Sequence, residues 1–394
     1  MTAEDKLDLV IDLLIKGGQV IDPSQDLAAP RDVAIRNGRI TTVAADIAAD
    51  RARHVIDARG CLVTPGIVDL HAHVYPYGSA IGLPADELVP LSCTTTAVSA
   101  GDAGANNFAA FRRLCVAQAR TRLFAFVHIA NHGLAGFPVP EMLNIDHADV
   151  ELAARCVTEN QDIALGIKVR QTRAIVGEHG LLPLRRAIAA AALAGNGARV
   201  MCHIGDVPSS LAELLDLMRP GDIVTHAFSG AGNNIVHDGR VLDAARAAQA
   251  RGVIIDVGHG AGSFDYTVAE AALAQGLLPT TLSSDIHAFS SDSPGRPYMP
   301  WVMSKFLNLG FSLSDVVAMS TVVPARIIGR VEKLGTLQEG APADVAIMRL
   351  VEEPVRFVDT RGNTRPGTRY LAPVQTIRAG VPFGGPYAVP FTVA

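Results

Sequence analysis

Apolar and polar positions change their period twice along this chain. Between residues 8 and 62, short β-branched runs are separated by the turn signals Gly17-Gly18 and Asn37-Gly38, which predicts a series of short strands. The strands predicted before residue 62 are Val10–Lys16, Asp32–Ile35, Ile40–Ala44 and Val55–Asp57. After Pro324 the same pattern returns and predicts strands at Ala343–Met348, Val355–Val358 and Leu371–Arg378. We therefore expect both ends of the chain to build one β-rich domain.

Between these ends, apolar runs alternate with helical segments rich in Ala and Leu. The eight strands predicted there are Ile67–His71, Thr94–Ser99, Leu123–Ile129, Ala164–Val169, Arg199–His203, Ile223–His226, Val253–Val257 and Thr281–Ser284. The helices predicted between them are Phe108–Ala119, Val150–Thr158, Leu184–Ala194, Leu211–Met218, Val241–Arg251 and Val268–Gln275. Such alternation is typical of a parallel barrel. We predict an α/β protein with a (β/α)8 TIM barrel, residues 63–325, inserted into a small β-sandwich domain of residues 1–62 and 326–394.

Composition narrows the class of protein. The 394 residues are 49% hydrophobic and 19% charged, which allows a sizeable core. A net charge of −5 gives no basic surface for nucleic acid. The start Ala3-Glu4-Asp5 lacks the basic residues of a signal peptide, no apolar run could span a membrane, and the five cysteines form no Cys-x-x-Cys pair. We expect a soluble cytoplasmic protein, and homo-oligomers are common for such barrels.

Metal-ligand side chains stand where predicted barrel strands end. His71 and His73 end the first strand, and positions i and i+2 of a strand face the same side, so two imidazoles can chelate one divalent ion such as zinc. Four further strand-end residues have ligand chemistry, namely Lys168, His203, His226 and Asp285. Each alone is ordinary as a hydrogen-bonded core residue or a helix cap. Together they predict one site, because barrel enzymes place active sites at these strand ends.

These residues, with the flanking Pro65-Gly66 and the tail Leu334–Asp344, resemble the binuclear-metal subtype of the amidohydrolase superfamily over nearly the whole chain. The resemblance implies two divalent metal ions, expected to be Zn²⁺, although His and carboxylate ligands also suit manganese, iron or cobalt. It implies that His71, His73 and Asp285 hold one ion and that His203 and His226 hold the other. The implied chemistry is hydrolysis by a water that the ions activate, with Asp285 as general base and then general acid.

Lys168 is implied to bridge the two ions as a carbamate. An ammonium group beside two cations would be repelled, whereas a neutral amine can add CO2 and become an anionic oxygen ligand. The alternative is an unmodified lysine paired with a carboxylate at the barrel mouth. Cys93, as a bridging thiolate, is rejected because it stands at the start of the second predicted strand, the wrong end for this site.

Arg170 is the best candidate for binding substrate. It lies two residues beyond Lys168 and should project to the same side, where a guanidinium suits a substrate carboxylate; a structural ion pair at the barrel rim is the alternative. Asn131 and His132, after the third strand, and His259, after the seventh, are predicted to contact substrate.

The local sequences around the strand ends are most similar to a group often labelled dihydroorotase or deacetylase. This resemblance implies cleavage of an acetyl ester or amide of a small acylated carboxylate, with acetyl-(R)-mandelate as the representative. The alternatives are a dihydroorotase and an N-acyl-D-amino acid deacetylase. A dihydroorotase would carry an Arg shortly after His73, and the segment Val74-Tyr75-Pro76-Tyr77-Gly78 has none.

Two other classes of protein fit the sequence less well. A catalytically silent barrel acting as a scaffold would typically have lost ligands, and here all six positions hold competent side chains. A metal-free sugar-phosphate enzyme would carry a Gly-rich loop after the seventh strand, of which Gly258, Gly260 and Gly262 are a weak indication. That class leaves the histidines of the strand ends unexplained.

Overall fold

Strands from both ends of the chain join in one eight-stranded sheet, here called the terminal sheet. The computed structural model of the protein describes residues 10–88 and 92–383, so Ala3-Glu4-Asp5 and the chain beyond residue 383 lie outside the described residues. With strands numbered β1–β19 in chain order, the terminal sheet contains β1 (Ile11–Asp22), β2 (Leu27–Arg36), β3 (Arg39–Ala44), β4 (Ala52–Asp57), β5 (Leu62–Pro65), β15 (Val345–Val351), β18 (Tyr370–Arg378) and β19 (Val381–Phe383).

The two ends of the chain meet where β5 and β15 pair antiparallel, with Val63 opposite Ile347. Both side chains belong to a cluster of buried apolar residues, with Leu13, Val33 and Ile377, that is separate from the core of the barrel. Strands predicted from the first and last parts of the sequence therefore share one core. The exact domain limits at residues 62 and 325 stay a prediction.

Seven parallel strands form the barrel sheet, in the spatial order β14-β11-β10-β9-β8-β7-β6. They are β6 (Ile67–Ala72), β7 (Thr94–Gly104), β8 (Arg122–His128), β9 (Ala164–Gln171), β10 (Arg199–Ile204), β11 (Ile223–Thr225) and β14 (Ile254–Ile255). The predicted α/β fold, with a parallel barrel inserted between strands of both termini, is confirmed. Two hairpins, β12 (Val236–His237) with β13 (Arg240–Val241) and β16 (Val355–Val358) with β17 (Thr364–Gly367), stand apart from both sheets.

The predicted eighth strand, Thr281–Ser284, is not a regular strand. Residues 281–286 form a bridged segment at its position instead, here called the closing segment. It makes parallel bridges on both sides, from Thr281 to Asp256 and from Ile286 to Ala72. The amide of Asp285 donates to the carbonyl of His71 at 2.7 Å. The closing segment thus joins the last strand of the sheet to the first and completes the barrel.

Helices cover the barrel sheet and connect its strands. They are α1 (Ala85–Leu88), α2 (Phe108–Phe111), α3 (Val150–Glu159), α4 (Arg173–Val176), α5 (Leu182–Ala194), α6 (Leu211–Leu217), α7 (Asp243–Ala250), α8 (Tyr266–Ala274), α9 (Met299–Asn308), α10 (Leu313–Ser320) and α11 (Val322–Ile328). Single 3-10 turns occur at Pro23–Gln25, Ala49–Arg51, Ile145–His147 and Gly177–His179. No helix within residues 10–88 and 92–383 is both long and apolar enough to cross a bilayer.

Sequence and structure differ at several helices and strand ends. The predicted helix Phe108–Ala119 is α2 followed by a wider π-helical turn over Arg112–Val116. The sixth predicted strand ends at Thr225 because His226 has a left-handed backbone, with φ of +66°. Helix α9, whose residues from Met299 to Leu307 are all buried, was not predicted from the sequence. A helix buried on every side lacks the amphipathic period by which surface helices are recognised.

Asp22 connects the end of β1 to the C-terminal part of the chain. Its buried carboxylate accepts hydrogen bonds from the amide of Leu337 at 2.6 Å and from the hydroxyl of Thr336 at 3.0 Å. It also accepts from the amide and hydroxyl of Ser24 and from the side chain of Gln25. One side chain therefore satisfies donors from two distant segments.

Replacing Asp22 with Asn should lower the free energy of unfolding by about 2 kcal/mol, since an amide group would face several buried donors. Urea unfolding followed by circular dichroism measures the loss. The matched control is Asp26→Asn, because Asp26 is exposed and its φ of +52° suits asparagine. Equal stability of both variants and the parent would contradict the role given to Asp22.

Candidate metal centre

The end of β6 and the closing segment bring His71, His73 and Asp285 together. The Nε2 atoms of both histidines lie 3.2 Å from Oδ1 of Asp285. All three side chains are buried, and their ligand atoms lie within 4.8 Å of one another. Among the described residues this is the one group of three or more His, Cys, Asp and Glu side chains with that geometry. The arrangement is that of a site for a divalent metal ion.

Hydrogen bonds to the outer nitrogens fix the orientation of both imidazoles. Nδ1 of His73 lies 2.7 Å from the carboxylate of Asp102, which can only accept, so His73 carries its proton there. Nδ1 of His71 lies 2.8 Å from the hydroxyl of Thr225, and that hydroxyl donates to Asp256 at 2.7 Å. Both Nε2 atoms are thereby directed at the site, as in metal-binding histidines supported by a carboxylate.

His226 is held in the same manner. Its Nδ1 lies 2.7 Å from the carbonyl of Gly258, and its buried Nε2 has no hydrogen-bond partner among the described residues. An unpaired buried imidazole nitrogen is costly unless something binds it. The ring centroids of His203 and His226 lie 4.2 Å apart, and Nζ of Lys168 is 3.4 Å from Nε2 of His71. The six predicted ligand positions therefore gather at one end of the barrel, and their donor set fits divalent metal ions.

Burial controls the protonation of four of these groups by disfavouring their charged forms. It lowers the pKa of Lys168 to about 8 and that of His226 to about 4. It lowers the pKa of His71 and of His203 well below the ordinary histidine value. Neutral imidazoles are the form that binds metal ions, so the buried site favours ligation.

Two groups shift the other way because their charged partners outweigh burial. Burial would lower the pKa of His73, but the charges of Asp102 and Asp285 raise it to about 9. Burial would raise the pKa of Asp285, but His71 and His73 lower it well below its usual range. Asp285 is therefore an ionised carboxylate, able to bind a cation or accept a proton.

The backbone is strained at two of the predicted ligands. His226 and Asp285 have positive φ angles, +66° and +48°, which turn their side chains inward at the ends of their strands. A Cβ at Gly258 would overlap Thr225 and His226, and a Cβ at Gly260 would overlap Asp285. These two glycines are thus explained by close approach to the metal centre, with no need of a phosphate loop.

A cavity of about 110 Å³ opens onto the site. Its lining includes the candidate ligands His73, Lys168, His203 and Asp285, the cation Arg170, and the side chains Ile81, Leu134, Phe137 and His287. The guanidinium of Arg170 lies 3.6 Å from Glu141 and 6.0 Å from the centre of the Phe137 ring. The sequence did not point to Glu141, which stands in the loop after β8 and also faces His128 at 3.3 Å.

The other predicted substrate contacts are not among the residues that line this cavity. The ring of His132 packs against His147, and its Nδ1 lies 3.3 Å from the side-chain oxygen of Asn131. Both nitrogens of His259 are engaged within the protein. Contacts of Asn131, His132 and His259 with substrate stay predictions. Cys93 is buried just before β7, with its thiol beside the carbonyl of Ile347.

A parallel barrel with a His-His-Asp cluster at its strand ends has the form of an enzyme with a metal site, and comparison with known proteins agrees. A profile described as the amidohydrolase family matches residues 222–380. A deacetylase of Agrobacterium fabrum is 33% identical over 339 residues, covering 86% of this chain and 82% of the relative. The chain belongs to the amidohydrolase family and is a hydrolytic enzyme.

Other relatives and solved structures extend the likeness. A deacetylase of Enterococcus faecalis is 31% identical over 371 residues, covering 94% of this chain and 98% of its own. A crystal structure of a dihydroorotase superposes with a TM-score of 0.88 at 29% identity, covering 96% of this chain and 99% of that one. A crystal structure of an adenine deaminase gives a TM-score of 0.86 at 30% identity, with coverages of 95% and 100%.

Replacing Asp102 with Asn should speed the release of bound zinc about tenfold, because His73 loses the charged acceptor that fixes its orientation. A chromogenic chelator added to the zinc-loaded protein measures the release rate. Asp162→Asn is the control, since Asp162 pairs with Arg112 at the exposed surface. Unchanged release from Asp102→Asn would contradict the orienting role.

After removal of metal, stability should fall between pH 6.5 and pH 4. The pKa of His226 is about 4 in the folded chain and about 6.5 in the unfolded chain, so over this interval only the unfolded chain gains the proton. His226→Gln should therefore lose about 2 to 3 kcal/mol less than the parent over the same interval. Urea unfolding of chelator-treated protein at both pH values tests this. Parallel losses in parent and variant would refute it.

Proposed function

We propose that this enzyme is a binuclear-metal hydrolase that cleaves an acetyl ester or amide of a small carboxylate such as acetyl-(R)-mandelate. The observation that carries this proposal is that one cavity is lined by Asp285, Lys168 and His203 together with Arg170 and apolar side chains. Deacetylase is also the name of relatives that match 86% and 94% of this chain.

The metal ligands are proposed as two sets. His71, His73 and Asp285 would hold one ion, and His203 and His226 the other. Lys168 would lie between them, carbamylated on Nζ, since its buried amine has a lowered pKa and lies beside His71. The neutral amine that adds CO2 is accessible near neutral pH for such a group.

When bound, two divalent ions supply a water of lowered pKa and polarise the substrate carbonyl. Asp285 accepts the proton of the attacking water on its carboxylate, which is ionised in this environment, and returns it to the leaving oxygen or nitrogen. The hydrogen bond from its amide to the carbonyl of His71 anchors the backbone that carries this carboxylate.

Arg170 is proposed to bind the substrate carboxylate. It lies on β9 two residues beyond Lys168 and lines the same cavity. Among the described residues, its guanidinium donates no close hydrogen bond and meets Glu141 only at 3.6 Å, so its donors can serve a ligand. Ile81, Leu134 and Phe137 offer apolar contact for the rest of the substrate.

Replacing Asp285 with Asn should abolish turnover and leave the fold intact. Asparagine tolerates the left-handed backbone at this position but cannot accept and return a proton. Steady-state hydrolysis and circular dichroism measure the two effects. The Asp26→Asn protein serves as control for the same chemical change at a surface site. Near-normal activity of Asp285→Asn would remove the proposed proton-transfer role.

The substrate assignment is tested by steady-state hydrolysis with zinc-loaded protein expressed in the presence of bicarbonate. The panel contains acetyl-(R)- and acetyl-(S)-mandelate, N-acetyl-D-amino acids, dihydroorotate and the methyl ester of acetyl-(R)-mandelate. We expect turnover of the R ester, and we expect Arg170→Met to raise KM at least tenfold for this carboxylate but not for its neutral methyl ester. Preferential turnover of dihydroorotate or of the N-acetyl-D-amino acids would favour that alternative instead.

A further inference from the structure

Lys305 is buried in the middle of α9, close to the rings of Phe264 and Tyr266. A buried lysine usually pairs with a carboxylate, but Lys305 takes part in none of the ion pairs of the described residues. Its Nζ instead lies within hydrogen-bond distance of three acceptors. These are His259 Nε2 at 2.7 Å, the Gly295 carbonyl at 2.8 Å and the Val358 carbonyl at 2.6 Å.

The hydrogen-bond partners of His259 and Lys305 indicate which of their nitrogens donate and which accept. Nδ1 of His259 lies 2.9 Å from the carbonyl of Gly260, which can only accept, so the imidazole proton sits on Nδ1. Nε2 then offers a lone pair to Lys305. All three partners of Nζ are acceptors, and an ammonium group has three hydrogens to give. Burial lowers the pKa of Lys305 well below its ordinary value, and the charge of Asp359 offsets this only in part.

The three acceptors belong to three separate segments. His259 follows the seventh barrel strand, Gly295 lies in the loop after the closing segment, and Val358 ends β16 in the C-terminal hairpin. The His259 ring also stacks on Phe264, with centroids 4.9 Å apart. A Cβ at Gly295 would lie 2.9 Å from Cε1 of His259, so this loop packs directly against the ring. Lys305 therefore joins three segments through hydrogen bonds from one Nζ atom.

Of these three segments, the one that contains His259 contacts the metal centre through the neighbouring residues Gly258 and Gly260. The carbonyl of Gly258 accepts from Nδ1 of His226, and Gly260 approaches Asp285 too closely to carry a side chain. The amides of His259 and Gly260 donate to the carbonyls of Ser283 and Ser284 at 3.1 and 2.9 Å. A shift of His259 would thus move the groups that orient His226 and border Asp285.

We propose that Lys305 and His259 form a positioning pair for the metal centre, acting through Gly258 and Gly260 without touching substrate. The inference rests on the binuclear-metal function proposed above. It goes beyond that function because it gives α9 and the β16–β17 hairpin, which contribute no ligand, a role in positioning the metal centre. It also gives His259 a role other than the predicted contact with substrate.

The test compares Lys305→Met, His259→Phe and the double variant with the parent, all loaded with zinc. Methionine keeps an unbranched side chain, one atom shorter and without donors, and phenylalanine keeps a ring to stack on Phe264 without nitrogens. Zinc release to a chromogenic chelator should be at least tenfold faster in each single variant, and no faster in the double variant than in the faster single one. For the substrate that the parent cleaves, kcat should fall while KM stays within twofold.

Ser304→Ala is the matched control. Ser304 is the neighbour of Lys305 on α9, and its hydroxyl links the helix to the amide of Leu371 at 2.8 Å, on β18. Its loss should lower the melting temperature without changing zinc release. If Lys305→Met does not fold, His259→Phe alone carries the comparison with this control.

Parent-like zinc release from Lys305→Met and His259→Phe overturns the proposal, as do additive effects in the double variant. A rise in KM at unchanged kcat and unchanged zinc release would instead mean that His259 touches substrate. A parent that holds zinc but hydrolyses no member of the panel would refute the proposed substrate class, and zinc release would still decide the role of Lys305.

Discussion

The site depends on the contact between β6 and the closing segment. Asp69 accepts hydrogen bonds from the amide and hydroxyl of Ser284 and from the amide of His71, while the amide of Asp285 donates to the carbonyl of His71. These bonds join the last segment of the barrel to its first strand. They also set the distance between the His-x-His pair and the carboxylate that faces it. The contacts that close the barrel are therefore the same contacts that assemble the candidate centre.

The barrel and the inner face of the site were readable from the sequence. Strand–helix alternation depends on local periods, and each predicted ligand ends a short apolar run, so position along the chain was enough to predict where the side chains meet. His71, His73 and Asp285 do lie together. Arg170 could be placed at the cavity because β9 continues regularly for two residues beyond Lys168.

The outer parts of the site were not predictable in this way. Asp102 and Asp256 act on His73 and His71 across the sheet, and nothing near either carboxylate in the sequence indicates its partner. Lys305 lies 46 residues from His259 along the chain, in a helix with no polar face. These pairings arise from the packing of segments distant in sequence, which local periodicity does not record.

The left-handed backbone at His226 and Asp285 has a consequence for how such a centre persists. A side chain in this conformation costs roughly 1 kcal/mol relative to glycine, which adopts it freely. The buried Nε2 of His226, which has no hydrogen-bond partner in the described part of the chain, adds a further cost when no metal is bound. For the metal-free chain alone, replacing these side chains would therefore raise stability. A bound ion would offset this cost by using these side chains as ligands, so the centre lowers the stability of the empty chain in exchange for being preformed for metal.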